Sequence, residues 1–280
     1  MDFSLLTGER EEDLGMGIPY ERWSLSQLLE KLYFVYDFST VLEGPGDGMA
    51  GIKGLNSIPF AGRNCNVTVI LPSEKQIEIA GYVYRQHNMD VTFNRSENFD
   101  MNYPDKSFDF VWNFCVAHIL DSEKIIDNMV RISRKYVMII VPNLFNYGFL
   151  LHKIDHMLTG DPWIHGNINY MNIPKIKAAL EKRGMSVTQT FLVDVPFWPD
   201  IDKPIETVIG NLLPFLRKWL NKRAEERYKT CSHKFDDLPY FTNDHDFEKL
   251  MGKLSFIERY FPEFIRVFFA HHNGVIAQKQ

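Results

Sequence analysis

The chain has 280 residues and a formal net charge of -5, from 31 Lys and Arg against 36 Asp and Glu, so it carries no polyanion-binding signature and nucleic acid is not favoured as a partner. Its 45% hydrophobic and 24% charged residues are ordinary for a folded chain with a sizeable core. Three cysteines, Cys65, Cys115 and Cys231, lack any paired spacing, which argues against a disulfide framework or a zinc knuckle and fits a reducing, cytoplasmic setting.

Met1 to Glu12 is too charged for a signal-peptide core, and no run reaches the roughly 20 apolar residues of a membrane-spanning helix, so the expectation is a soluble protein. Tyr20 to Phe38 carries Leu25, Leu28, Leu29, Leu32, Phe34 and Val35 at helical spacing, with Ser24 as the expected N-cap. Tyr20 and Trp23 at its start either staple the helix to the core or roof a ligand pocket. Next comes Thr40-Val41-Leu42-Glu43-Gly44-Pro45-Gly46-Asp47-Gly48-Met49-Ala50-Gly51: an apolar run, an acid, then glycines at alternate positions. A strand that turns this sharply towards a helix leaves its backbone open to a ligand, although glycine-rich turns also occur without one.

Met49 to Phe60 is ambiguous, because Gly51, Gly54 and Pro59 weaken any helix. Asn66 to Leu71 reads as a second strand, and Pro72 and Ser73 open a helix from Glu74 towards His87. Met89 to Phe93 is a short third strand, and Phe108 to Asn113 a fourth. Asp121 or Ser122 caps a helix through Ile132, and the unbroken apolar run Tyr136 to Val141 is a fifth strand buried on both faces. This alternation predicts an α/β fold with a doubly wound, mostly parallel sheet that binds ligands at the carboxyl ends of its strands.

The second half changes character. Ile173 to Arg183 is a helix closed by Gly184, and Ser186 to Val195 a strand. Ile205 to Tyr228 reads as one long amphipathic helix, whose basic run from Arg217 to Lys229 is either a solvated face or an interfacial one. A strand is expected at Ile265 to Ala270, with a turn at Asn273-Gly274 before a last strand, Val275 to Ala277. The division that follows is residues 1–195 with 263–280 as the main domain, and 196–262 as a helical insertion.

In this order of elements the chain resembles the class I S-adenosylmethionine-dependent methyltransferases, in particular the broad small-molecule group. The likeness rests on Val41 to Gly48 as the first motif, on Asn102-Tyr103-Pro104-Asp105-Lys106-Ser107-Phe108-Asp109-Phe110-Val111 leading into strand four, and on Asn113 to Asp121 after it. It implies a Rossmann-like seven-stranded sheet with an antiparallel last strand, and S-adenosyl-L-methionine as cofactor. It further implies that Glu43, Gly44, Pro45, Gly46, Asp47 and Gly48 face the methionine and ribose side, that Glu97 with Asn98 meets the adenine amino group, and that Asn113 and Phe114 line the methionine arm. The chain departs from the family in two places: Glu43 abuts Gly44 with no residue between, and Leu71 stands where an acid clasps the ribose hydroxyls. Ser73 or Glu74 is the available substitute, at a helix N-terminus that suits an oxygen-rich ligand.

A methyltransferase supplies proximity, orientation and sometimes a base. Asp161-Pro162-Trp163-Ile164-His165-Gly166 offers a carboxylate, an indole and an imidazole on one loop. Here His165 is either the base or a structural hydrogen-bonding group, and Tyr20, Trp163 and His165 are the candidate residues for a small-molecule acceptor. His152 and His156 stand four apart on a helix, but no third metal ligand is indicated. Two other readings stay open: a degenerate member of the fold that only binds or assembles, which Leu71 favours, and a dinucleotide-dependent oxidoreductase. Oligomeric state is open too, a homodimer included.

Overall fold

In the computed structural model, which describes residues 17–46, 48, 52–163, 166–201, 205–220, 222 and 245–280, seven strands form one sheet in the order β3-β2-β1-β4-β5-β7-β6. The elements are α1 (Gly17–Val35), β1 (Thr40–Glu43), α2 (Ile58–Ala61), β2 (Asn66–Leu71), α3 (Glu74–Gln86), β3 (Val91–Arg95), β4 (Phe108–Phe114), α4 (Ser122–Ile132) and β5 (Ser133–Pro142). They continue as α5 (Tyr147–Thr159), α6 (Ile173–Glu181), β6 (Met185–Val193), α7 (Ile205–Leu212), α8 (His245–Leu254), α9 (Phe256–Tyr260), α10 (Glu263–Phe269) and β7 (His272–Lys279). Strands β1 to β5 pair parallel, and β7 runs antiparallel between β5 and β6. Strand order reverses between β1 and β4, so their carboxyl ends flank the crevice where such sheets take ligands.

Side chains alternate across this sheet with the period of a strand: Val41 joins a core with α1 to α3 on one face, and Leu42 joins a core with α4 and α6 on the other. Local chemistry sets the helix starts as expected. The Ser73 hydroxyl accepts from the Gln76 N–H, and the Asp121 carboxylate from the Lys124 N–H.

Four expectations are corrected. Ser24 is no cap: α1 begins at Gly17, and the buried Ser24 hydroxyl accepts instead from the Asp194 N–H at 2.9 Å. The helix from Ile205 ends at Leu212, because Pro214 offers no N–H and holds Leu213 out of helical conformation; 223–228 lie outside the described residues. Ile265 to Ala270, β-branched and aromatic though it is, forms α10 after Pro262, since both edges of β7 are already taken by β5 and β6. Asn273-Gly274 is no turn but part of β7, where a Cβ on Gly274 would lie 2.4 Å from the Phe191 ring on β6. Among the described residues, no helix is long and apolar enough to cross a membrane.

Candidate functional site

The tip of β1 is built from the inside. Glu43 is fully buried, and its two oxygens accept from Asn56 Nδ2 at 2.9 Å and Ser57 Oγ at 2.7 Å, while Trp112 Nε1 donates to the same Ser57 oxygen. Burial pushes the Glu43 carboxyl up to about 7, against hydrogen bonds that favour its charged form. Both oxygens are thus engaged within the chain. Beyond them Gly44 N–H donates to Trp112 O and Gly46 N–H to Ile70 O, each at 2.9 Å, which stitches the loop to β4 and β2. A Cβ on Gly48 would lie 1.4 Å from the Phe114 carbonyl oxygen, so glycine alone lets the loop cross the end of β4 here. Asp47 lies outside the described residues.

At the end of β2, Leu71 is fully buried in the core. No carboxylate stands at that position, and the Ser73 hydroxyl is committed to its own helix. Glu97 and Asn98, with Phe99, line a cleft of about 220 Å³ against Asp121, Lys124 and Ile125. Within it Glu97 pairs with Arg95, and Lys124 with Asp100 at 2.9 Å. Asn113, at the end of β4, donates to Met129 Sδ at 3.1 Å, and its buried Oδ1 has no hydrogen-bond partner among the described residues. The Phe114 ring stacks obliquely on His272, with centroids 4.7 Å apart.

The aromatic candidates fall into two separate groups. Tyr20 is buried with Trp23 and Met251, its ring edge-on to Trp198 at 5.3 Å. Trp163 packs on α5 beside Phe149, His152 and His156, and its Nε1 donates to Gly166 O at 3.1 Å. His152 and His156 bring their Nε2 atoms to 3.2 Å, but no group of three metal-ligating side chains occurs among the described residues. His165 lies outside the described residues.

A cluster that sequence reasoning missed stands at the same end of the sheet. Asp194, one residue past β6, is 1% exposed; its Oδ2 is 2.8 Å from His271 Nδ1 and 3.7 Å from His272 Nδ1. His271 Nε2–H donates to Trp198 O at 3.0 Å, so both of its ring nitrogens face acceptors and the ring is an imidazolium. Burial alone would lower the His271 pKa, but Asp194 and Asp200 more than reverse this and take it up to about 10. His272, also buried, is pushed below its usual value by burial and stays neutral. Glu21 on α1 is raised by burial and by Asp194, and the Cys115 thiol by burial and by Glu21. The available signal was a His-His pair before the last apolar strand, with an acid just after the preceding one.

Residues 49–141, from the glycine loop through most of β5, match the family model of a methyltransferase domain. Geranyl diphosphate methyltransferase, solved in complex with SAM, is 13% identical with a TM-score of 0.51, over 93% of this chain and 86% of its own. The YcgJ protein from Bacillus subtilis is 13% identical with a TM-score of 0.51, over 91% of this chain and 98% of its own. The cyclase SpnF is 15% identical with a TM-score of 0.50, over 91% of this chain and 79% of its own. At these identities the likeness is one of fold. No curated protein matches the sequence.

Proposed function

We propose, for a chain that carries a class I S-adenosylmethionine-dependent methyltransferase domain, that it transfers a methyl group from S-adenosyl-L-methionine to a small acceptor covered by the helices between β6 and β7. The observation that carries this reading is the junction of β1 and β4, where the sheet order reverses and the glycine loop crosses the strand end at Gly48. The cleft beside Glu97 and Asn98 suits an adenine, whose amino group would donate to the Glu97 carboxylate once Arg95 yields it. The unpartnered Asn113 Oδ1 fits a ligand with N–H groups, such as the methionine ammonium.

Bound there, the cofactor supplies an electrophilic methyl group. The chain contributes orientation and a dry surround: Glu43 holds Asn56 and Ser57, which return the chain beneath the glycine loop, so it positions the loop from inside. The insertion, 196–262, serves as a cover, with Trp23 Nε1 donating to Glu248 at 2.9 Å where α8 meets α1. Tyr20 and Trp163 flank the acceptor side, with His165 as its base or orienting group.

Leu71 favours a second reading, a protein that keeps the fold and has lost methyl transfer, and a cyclase on a similar fold illustrates that this sheet hosts other chemistry. Calorimetry with S-adenosylmethionine, S-adenosylhomocysteine and NAD separates the readings. The first two should bind and NAD should not. Failure of both sulfur nucleosides to bind overturns the proposed function, and binding of NAD instead would point to redox chemistry.

A further inference from the structure

The buried carboxylate of Asp194 is only half satisfied. His271 Nδ1 forms an ion pair with Oδ2 at 2.8 Å, whereas Oδ1 has neither an ion-pair nor a hydrogen-bond partner among the described residues, and His272 Nδ1 has no hydrogen-bond partner among them. The carboxylate oxygen is an acceptor, and His272 Nδ1 is one in the tautomer that carries its proton on Nε2. Asp194 is held here by its own backbone, with its N–H on Ser24 Oγ at 2.9 Å and its carbonyl taken by the His271 N–H at 2.8 Å. The titratable and charged groups around it are Glu21, Arg22 and Lys31 on α1, Asp200 after β6, Glu258 and Arg259 on α9, Arg266 on α10 and His271. A buried carboxylate oxygen without a partner, beside an imidazole nitrogen that also has none, is complementary to a cationic N–H donor and repels an anion.

We propose that Asp194 and His272 form the polar end of the acceptor subsite and that it anchors an ammonium group, so that the acceptor molecule is an amine; methylation at that nitrogen would first require its proton to pass to the Asp194 carboxylate or the His272 ring. The inference rests on the proposed function and narrows its substrate class. The location agrees with it: His272 touches Phe114, whose carbonyl the glycine loop crosses, so an ammonium between Asp194 and His272 would lie one ring away from the proposed methyl donor site. Ser24 and Glu258, 3.5 Å apart, tie α9 to α1 beside the cluster.

The experiment is a nitrogen-15 NMR titration of the histidine rings in the full chain, at constant ionic strength, with methylammonium, methanol, acetate and potassium as probes. Methylammonium should shift the ring nitrogens of His272 and His271 saturably, and methanol, acetate and potassium should not. Asp194→Asn should weaken the methylammonium response by about tenfold or more, the loss expected for one charge-assisted hydrogen bond. Should that variant not fold, His272→Phe, which keeps a ring against Phe114, carries the same comparison. Absence of any shift with methylammonium, or an equal response to potassium or methanol, overturns the proposal. The titration is run with and without S-adenosylhomocysteine, so failure of the nucleoside to bind strikes the proposed function alone, while the ammonium response still reports on the cluster.

Discussion

His271 Nδ1 lies 2.8 Å from Asp194 Oδ2, an ion pair between the last residue before β7 and the first after β6, with both side chains nearly inaccessible to water. Removing one partner of a buried pair leaves the other charge uncompensated. Asp194 has φ +58, a conformation that Asn adopts as readily as Asp, so Asp194→Asn changes the charge with little backbone cost.

Asp194→Asn is expected to lower the unfolding free energy by about 3–5 kcal/mol at neutral pH. The His271 pKa is raised in the folded state, so the stability it contributes is complete below its unfolded value near 6.5 and is lost as pH rises through about 10. The gap between wild type and variant should therefore narrow across that window. Urea unfolding at a series of pH values reads this, and a gap constant up to the top of the window would refute the ion pair.

Glu43 has a slope of the same sign in a more acidic window. Its folded pKa, about 7, lies above its unfolded value of 4.5, so between these two the native state holds more protons and stability falls as pH rises. The total loss is at most about 3 kcal/mol. Glu43→Gln removes the titrating group, and its unfolding free energy should be flatter over this interval than that of the wild type.

Gly48→Ala places a Cβ against the backbone oxygen of Phe114, which cannot swing aside as a side chain would. The loop must shift, at a cost of about 1–3 kcal/mol in stability. Affinity for S-adenosylhomocysteine should fall by about tenfold, or ~1.4 kcal/mol, in calorimetry. Unchanged affinity would mean that the loop does not hold the nucleoside.

Leu71 and Glu97 separate packing from recognition. Leu71→Ala should cost about 2–5 kcal/mol of stability, as for other buried leucines, with little effect on nucleoside affinity per folded molecule. Glu97, 70% exposed in its pair with Arg95, should behave inversely: Glu97→Gln changes stability by less than about 1 kcal/mol and weakens nucleoside binding by about tenfold. Thermal melts with and without S-adenosylhomocysteine measure both quantities in one series.

By itself the sequence determined the alternation of strands and helices through β5, the helix starts at Pro72-Ser73 and at Asp121 or Ser122, the glycine turn after Glu43 and the absence of an acid at Leu71. These follow from periodicities of 2 and 3.6 residues and from turn chemistry, which act between near neighbours. It misread Ser24, Ile265 to Ala270 and Asn273-Gly274, because in each case a partner distant in the chain overrode a local preference. Only the tertiary structure decided that Glu43 points to Asn56 and Ser57, that Gly48 abuts Phe114, and that Asp194, His271 and His272 meet in one buried cluster. Convergence of that kind depends on which strands pair and on what is withdrawn from water, and neither is written in the spacing of residues along the chain.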